Sequence, residues 1–593
     1  MNEQITFDEN GEYKFPEREP IKGFPELRWT GKRPFKSTMY FPAQLKESYG
    51  TDADGWMNKI FWGDNLQVMS HLLKQFRGKI DLIYIDPPFD SKADYKKSIK
   101  VKGKTATSDS LAFEEKQYGD IWTNDEYLQF IYERLVIMKE LLSSSGSIYI
   151  HLDYHKVYYI KAIMDEVFGI DNFQNDIIWR YSGWNKKNKS YFNRRHDVIL
   201  YYSKGANPYF EPFRLEWDSP EAYAKARKQK VLVEEGTGRK YVLSDAGNGN
   251  RVRRYLDEAM KEGRHIDDVW LIDKLNNSDK ELLNYPTQKP EKLIERIIQS
   301  SCPPNGIVFD CFMGSGTTQA VAMKLGRKFI GADINLGAIQ TTTKRLIGIA
   351  DELNSTIDGE TKYTGFEVYN VNNYDFFRNP VEARDLIISA LDIEKFTASS
   401  VYDGELDGRM VKIMPVNRIA TKADLAELIA NMPYKTFEQR KADNPNEPVE
   451  RITLVCMGHE PDLKAHLIAE VTGFKLDIEI VDILRDKADL QLKREAEAVV
   501  TRKGNKLVIE AFYPMNFMQK LSLQKEYVDD WKQLVESVMV DFNYDGAVLQ
   551  PTITDIPGKN ELVLGEYDIP ENAGTIRVKI TDLLSESLEV EVE

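Results

Sequence analysis

The sequence predicts an α/β fold built on a doubly wound, mostly parallel sheet. Strands and helices alternate along residues 59–349, and several of the strands are continuous apolar runs. Alternation of this kind indicates βαβ units, and unbroken apolar strands are typical of a parallel sheet that helices cover on both faces. A glycine-rich turn at residues 311–316, between one such strand and the next helix, is typical of the ligand-binding edge of such a sheet.

The periodicity of apolar residues predicts each element in turn. The segment Ile80–Ile85 is predicted to be a buried strand because its last four residues are all apolar or aromatic, and Asn65–Gln75 is predicted to be a helix because its leucines and methionine recur at helical spacing. The same patterns predict strands at 59–62, 147–151, 177–181, 197–202, 307–310 and 329–333, and helices at 124–142, 156–168, 290–300, 317–325 and from there to near residue 349.

The length of 593 residues predicts several domains. We expect an irregular N-terminal arm at residues 1–55, a central α/β domain at 56–375 with a basic insertion at 203–272, and a C-terminal α+β accessory region at 376–593. In that last region, a helix is predicted around 422–430 and strands at 452–457, 506–512 and 575–580.

Composition excludes several classes of protein. The three cysteines form no C-x-x-C pair, so neither a disulfide framework nor a metal site is expected. No run of eighteen apolar residues occurs and the first twenty residues are polar, so we expect a cytoplasmic protein with no membrane segment. The net charge is −15, yet residues 180–264 carry 19 lysines and arginines against 11 acids, which leaves a basic surface for phosphates.

The glycine turn is the first candidate for a ligand site. It follows the strand that ends at Asp310 and continues through Phe312, Gly314, Ser315, Gly316 and Thr317 into a helix. Glycines permit a close approach of the backbone to a ligand, and a helix start offers free N–H groups. Asp333 ends the next strand, where a carboxylate is placed to accept hydrogen bonds from ribose hydroxyls. The turn has no lysine of a Walker loop.

The second candidate is the segment Asp86-Pro87-Pro88-Phe89, which follows a buried strand. The prolines remove two backbone donors and leave their carbonyls as acceptors, and Asp86 adds a carboxylate. Such a group of acceptors suits an amine, and Phe89 offers a flat face for a base. Hydrogen bonds from an exocyclic amine to these acceptors would direct its lone pair at a methyl donor, which is largely a problem of positioning.

Together these motifs resemble those of the beta class of amino-methylating DNA methyltransferases. Asp86 lies 224 residues before Asp310, and this order matches the circular permutation of that class. Thr287-Gln288-Lys289-Pro290 and Gly63-Asp64-Asn65 match two further motifs of the family, in which Thr287, Lys289 and Asp64 would contact the cofactor.

The resemblance implies a seven-stranded, Rossmann-like methyltransferase sheet and S-adenosylmethionine as cofactor. It implies methylation of the exocyclic N6 amine of a flipped-out adenine, because aspartate begins the Asp86 motif; cytosine-N4 methylation is the alternative. A cytosine-C5 mechanism is rejected because no cysteine follows a proline. His151 and His196 are expected to be structural, since this mechanism needs no histidine base.

Double-stranded DNA is the expected partner of two basic regions. The insertion at 203–272 corresponds to the target-recognition region of the family, and a lysine-rich loop follows the Asp86 motif. The candidate DNA-binding residues are Lys96, Lys97, Lys186, Lys187, Arg227, Arg239, Arg251, Arg253 and Arg254. Arginine and lysine contact phosphates and guanine edges.

At the level of the whole chain, the arm and the strand-rich tail resemble the modification subunit of type III restriction-modification systems. That resemblance implies a helicase-nuclease restriction subunit as partner, subunit contacts through residues 376–593, and a homodimer as a further possibility. Two alternatives stay open: a solitary methyltransferase, and a chain that serves mainly as the DNA-recognition and docking subunit of a defence complex. An RNA or protein methyltransferase is disfavoured by the basic insertion and the motif order.

Overall fold

The computed structural model describes most of the chain. The described residues are 6–7, 12–15, 26–88, 97–101, 104–108, 124–183, 187, 190–245, 250–276, 278–283, 285, 287–355, 362–371, 384, 387–388, 391, 393–396, 401–415, 420, 422–456, 463–482, 496–514, 518, 528, 530–558, 561–583 and 586–592. Among them, no helix is both long and apolar enough to cross a membrane. The three cysteines are buried, and no disulfide joins them.

A ten-stranded sheet forms the centre of the fold. Its strands, in chain order, are β1 (Gln44–Tyr49), β2 (Asn58–Trp62), β3 (Ile80–Ile85), β4 (Leu142–Leu152), β5 (Phe173–Arg180), β6 (His196–Ser203), β7 (Val269–Leu271), β8 (Ile307–Asp310), β9 (Lys328–Asp333) and β10 (Phe366–Asn370). They lie side by side in the order β7-β5-β6-β4-β3-β8-β9-β2-β10-β1. The seven expected strands are adjacent in this sheet, in the order β5-β6-β4-β3-β8-β9-β2. Strand β7 extends the sheet on one side, and β10 and β1 extend it on the other.

Eight of these strands point the same way, and β1 and β6 run opposite to them. The mostly parallel α/β sheet that the sequence predicts is thus confirmed. Parallel strands end at a common edge, which is where ligands bind in open α/β sheets. The strands β4, β3, β8, β9 and β2 are consecutive in the sheet, so the segments that follow them are neighbours.

In the part of the chain that the structure describes, six helices cover the sheet. They are α1 (Asn65–Phe76), α2 (Asn124–Leu141), α3 (Val157–Phe168), α4 (Glu291–Ser301), α5 (Thr317–Lys324) and α6 (Leu336–Asn354). Ile83 and Ile85 of β3 pack with α1, α2 and α3 on one face, while Leu82 and Tyr84 pack with α4, α5 and α6 on the other. Because successive strand residues point to opposite faces, one unbroken apolar strand serves both cores.

The basic insertion forms a small body with its own apolar centre, in which Tyr223, Val242 and Leu256 are buried. Its helices are Pro220–Ala226 and Leu256–Glu262, and its strands are Arg214–Leu215, Leu232–Val233, Lys240–Asp245, Arg251–Tyr255 and Arg264–His265.

The chain divides into two compact units. The first contains Met1–Val371, Ala498–Tyr513 and Leu521–Glu593, and the second contains Asn372–Glu497 and Pro514–Lys520. The first boundary lies close to the expected one at 376, but residues 498–513 and 521–593 of the expected accessory region belong to the first unit. Lys579 makes an ion pair with Glu47, and the Tyr49 hydroxyl lies 3.1 Å from the Met539 sulfur.

The N-terminal arm also differs from the expected irregular segment, because β1 joins the main sheet beside β10. Three short strands precede it, at Thr6–Phe7, Glu12–Lys14 and Ser37–Met39. A separate hairpin is formed by Lys97–Val101 and Lys104–Ser108.

In the tail, the first unit has the strands Glu497–Lys503, Lys506–Tyr513, Val535–Asp541, Ile553–Asp555, Glu566–Asp568, Ile576–Asp582 and Ser587–Val592. The second unit has the strands Glu394–Lys395, Gly404–Leu406, Arg409–Ile413, Glu450–Cys456 and Leu476–Asp482, and the helices Leu425–Ala430, Tyr434–Asp443 and Leu463–Glu470.

Candidate active site

Four neighbouring strands of the first unit end in acidic residues at one edge of the sheet. Asp86 follows β3, Asp310 ends β8, Asp333 ends β9, and Asp64 follows β2 after one glycine. The two motifs singled out in the sequence are therefore brought together, because β3 and β8 are paired directly.

The two carboxylate oxygens of Asp86 differ in their hydrogen bonding to the described residues. Its Oδ2 accepts a hydrogen bond from Lys289 Nζ, and the side chains of this pair are only 18% and 11% exposed. Its Oδ1 is buried and has no hydrogen-bond donor among the described residues. A buried acceptor without a donor costs free energy, so this oxygen is ready for a ligand that donates a hydrogen. Pro87 is buried and Pro88 half-buried, whereas Phe89 lies outside the described residues.

The glycine turn requires glycine at two positions. Gly314 and Gly316 have φ angles of +50° and +70°, which residues with a Cβ rarely adopt. A Cβ on Gly316 would lie 2.5 Å from the Cγ2 and Oγ1 atoms of Thr342. The Gly314 N–H donates to Asp333 Oδ2 at 2.9 Å, so the turn is fastened to the end of β9.

Burial raises the pKa of two carboxyl groups at this edge. The pKa of Asp310 is raised to about 7, against the opposing effect of hydrogen bonds from the Thr318 hydroxyl and the Phe312 N–H. The pKa of Asp333 is raised to about 6 by burial, although the N–H groups of Asn335 and Gly314 donate to it. Both groups therefore titrate near neutral pH.

The segment around Lys289 connects the two motifs. Lys289 reaches Asp86, and the nearby Tyr285 ring lies against the glycine turn, since a Cβ on Gly314 would be 3.3 Å from Tyr285 Cε1. Thr287 is exposed and has a φ of +64°. A positive φ is an outlier for a β-branched residue, and such strain is concentrated at functional sites.

Arg345 of α6 braces the turn, and the sequence analysis missed it. Its Nη1 donates to the Ser315 carbonyl at 3.1 Å and to Thr317 Oγ1 at 3.0 Å, and its Nη2 donates to Glu291 at 2.7 Å. Ser315 and Thr317, which were predicted to bind cofactor, thus also hold the turn to α6 and α4. No local pattern marks a contact between residues 28 positions apart.

A buried polar cluster near Asp86 was also missed in part. His151 lies 3.1 Å from the Tyr84 hydroxyl and 3.3 Å from Asp197 Oδ2. Lys274, just beyond β7, lies with its Nζ 3.9 Å from the Tyr181 ring centre, and burial lowers its pKa. His151 is buried within this cluster, whereas His196 is exposed at the start of β6. The charge of Lys274 acts on both Asp197 and Asp86.

Asp64 has a structural role in this arrangement. Its Oδ1 accepts from the N–H groups of Leu66 and Gln67 and so caps α1, while its Oδ2 pairs with Arg134 at 3.0 Å. Carboxylates that cap helices in this way stabilise them by about 1 kcal/mol. Its predicted contact with a cofactor remains a prediction.

The DNA-binding candidates fall into three groups. Lys96 and Lys186 lie outside the described residues, and Lys97 lies in the hairpin strand Lys97–Val101. Lys187, Arg227 and Arg251 are exposed.

The other three arginines are paired with acids of the same insertion. Arg239 pairs with Asp257 and Glu258, Arg253 pairs with Glu234, and Arg254 pairs with Glu262. A count of charges along the sequence cannot show such pairing, and the pairing makes these arginines weaker candidates for phosphate contacts than Lys187, Arg227 and Arg251.

Comparisons with known proteins agree with the arrangement of the motifs. The family model described as "DNA methylase" matches residues 80–344, which include Asp86, Lys289 and the glycine turn. The type II methyltransferase M1.MboII of Moraxella bovis is 31% identical over 264 residues, which are 43% of this chain and 85% of that protein. The DNA adenine methyltransferase YhdJ of Escherichia coli is 28% identical over 48% of this chain and 82% of that protein.

A further relative is larger. The StyLTI Mod subunit, a type III restriction-modification enzyme of Salmonella typhimurium, is 24% identical over 46% of this chain and 50% of that protein. The match to M1.MboII spans most of that protein, and the residues matched by the family model contain both motifs of the sheet edge. The chain belongs to the DNA methylase family.

Proposed function

We propose that this chain transfers a methyl group from S-adenosylmethionine to the exocyclic N6 amine of an adenine that has been turned out of double-stranded DNA. The observation that carries the proposal is the buried Oδ1 of Asp86, which lacks a donor among the described residues and lies at the sheet edge that also holds the glycine turn. An exocyclic amine is a donor that fits such an oxygen.

The residues present fit the cofactor. Asp333 ends β9 with its carboxylate oriented by the N–H groups of Gly314 and Asn335, which leaves lone pairs for ribose hydroxyls. The positive φ angles of Gly314 and Gly316 keep the turn free of side chains, so that a ligand can approach the backbone. When bound, S-adenosylmethionine supplies an electrophilic methyl group on a sulfonium.

The residues of the chain prepare the amine. The lone pair of an exocyclic amine is spread into the ring, so the free amine is a poor nucleophile. Asp86 accepts a hydrogen bond from the amine, which favours a tetrahedral nitrogen whose lone pair is directed at the methyl group. After the transfer, Asp86 takes the proton that the methylated nitrogen releases. Holding both reactants in line supplies much of the rate enhancement.

Adenine is favoured over cytosine because aspartate begins the Asp86 motif and because a relative is named as a DNA adenine methyltransferase. Methylation of cytosine at N4 is the second candidate, since its exocyclic amine would meet the same acceptors. The similarity to the StyLTI Mod subunit supports a role as the modification subunit of a type III system, with a helicase-nuclease subunit as partner. The alternative hypothesis is that the chain is a DNA-recognition subunit with little methyltransferase activity.

The test is transfer of labelled methyl groups to genomic DNA. We expect transfer by the natural chain and a loss of about 100- to 1000-fold in Asp86→Ala, the usual effect of removing one group that binds the transition state. The affinity for S-adenosylmethionine should stay within threefold. Asp171→Ala, at an exposed aspartate outside the site, is the matched control. Undiminished transfer by Asp86→Ala would overturn the proposal, and no transfer by the natural chain would favour the recognition subunit.

A further inference from the structure

An exposed aromatic cluster lies at the same edge of the sheet as Asp86. Phe192 is 97% exposed and Tyr191 is 57% exposed. Arg194 lies between two rings, with its guanidinium carbon 4.0 Å from the centre of Tyr154 and 5.0 Å from that of Tyr191. Packing in the core of the first unit does not explain why Phe192, two residues before Arg194, is almost completely exposed.

The topology places this cluster near the proposed base pocket. Tyr154 lies just beyond β4, which is the direct neighbour of β3, and Ile85 is paired with Ile150. Residues 181–195 connect β5 and β6, whose last register pair is Arg180 with His196, and the Tyr181 N–H donates to the Arg195 carbonyl. At the usual spacing of strands, β6 and β5 are about 10 and 14 Å across the sheet from β3.

The residues that connect β5 and β6 are rich in positive charge. From Arg180 to Arg195 the sequence has six lysines and arginines and no acid, in a chain whose net charge is −15. Phosphates are attracted by such a segment, and aromatic rings beside arginine are typical of surfaces on which bases stack. Duplex DNA, the proposed substrate, supplies both the phosphates and the bases that such a surface fits.

We infer that Phe192 is a wedge that enters the base stack of duplex DNA where the target base leaves it, while Arg194, packed against Tyr154 and Tyr191, anchors the segment that carries the wedge. This inference rests on the proposed function. A base can be turned out only if its stacking is given up, and an apolar side chain inserted between base steps replaces part of that stacking. Phe192 is thus a positioning residue for the target, at a distance from the reacting atoms.

The test compares Phe192→Ala with the natural chain on two duplexes. On an ordinary duplex, the variant should lose about tenfold to hundredfold in kcat/KM, the loss expected for one ring that stacks on a base. On a duplex whose target base faces an abasic site, turning the base out costs little, and the variant should come within threefold of the natural chain. Phe192→Trp should keep most of the activity on both duplexes.

Ile170→Ala is the matched control. Ile170 is an apolar residue that is 40% exposed, and it lies between the end of α3 and the start of β5, at the opposite edge of the sheet. This control should match the natural chain on both duplexes. The inference is overturned if Phe192→Ala stays within twofold on the ordinary duplex, or if its loss is the same on both duplexes. Failure of the proposed function is a separate result, since it would appear as no transfer by the natural chain to either duplex.

Discussion

Replacement of Gly316 by alanine tests the glycine turn quantitatively. The residue has a φ of +70°, and an added Cβ would lie 2.5 Å from two atoms of Thr342. An alanine in the left-handed region costs about 1–2 kcal/mol. Overpacking against a buried, β-branched side chain, which cannot rotate away, costs about 1–3 kcal/mol more. We therefore expect a loss of about 2–5 kcal/mol in the free energy of unfolding of the first unit.

Gly326 provides a matched control at the other end of α5. Its φ is +65°, and an added Cβ would meet nothing within 4 Å. Gly326→Ala thus carries the same backbone strain without the contact, and we expect a loss of only about 1–2 kcal/mol. Denaturant titration measures both losses. The affinity for S-adenosylmethionine, measured by calorimetry, should fall at least tenfold in Gly316→Ala and less than twofold in Gly326→Ala.

Thr342→Ala in the Gly316→Ala background removes two of the three atoms that the new Cβ would meet. A coupling of at least about 1 kcal/mol between the two substitutions is expected from such a direct contact. Equal losses in Gly316→Ala and Gly326→Ala would show that the contact with Thr342 does not impose glycine. Unchanged cofactor affinity in Gly316→Ala would show that this turn does not bind the cofactor.

The remaining predictions concern the ionisable groups. Because the pKa of Asp333 is about 6, affinity for S-adenosylmethionine should fall as the pH is lowered through 6, and Asp333→Asn should weaken binding about 10- to 150-fold and remove that pH dependence in calorimetric titrations. The pKa of Asp310 is raised from 3.8 to about 7, so the folded chain binds this proton more tightly than the unfolded chain. The contribution of Asp310 to stability therefore decreases as the pH rises from about 4 to 7. Asp310→Asn should remove this pH-dependent contribution, which denaturant titrations across that range measure. Lys289→Met leaves Asp86 buried without its cation and should cost about 3–5 kcal/mol on unfolding; the double variant with Asp86→Asn should recover part of this loss, and full additivity would contradict the pairing.

Local patterns were sufficient for much of the fold. The strand Ile80–Ile85 and the helix Val157–Phe168 agree with the predicted elements to within a residue, because apolar runs and helical periodicity depend on burial that any packed arrangement requires. The ends of β3 and β8 could likewise be predicted, since Pro87 and the glycine turn mark where these strands stop.

What the sequence did not provide depends on contacts distant along the chain. The place of Gln44–Tyr49 in the main sheet and of the tail in the first unit could not be predicted. Their partners, such as Phe366 and Met539, are distant in the sequence, and no local pattern identifies them. The brace from Arg345 and the cluster around Lys274 are invisible for the same reason. The ion pairs of the insertion show that a local surplus of arginine does not by itself predict free positive charge.

Mass spectrometry of the nucleosides from DNA methylated by this chain identifies the base and the atom that receive the methyl group. We expect N6-methyldeoxyadenosine in DNA treated with the natural chain and its near absence after treatment with Asp86→Ala. N4-methyldeoxycytidine would keep the proposed role of Asp86 and change the base. 5-Methyldeoxycytidine, which is methylated on carbon, or N6-methyldeoxyadenosine at equal levels with Asp86→Ala, would contradict the claim that Asp86 holds an amine for methyl transfer.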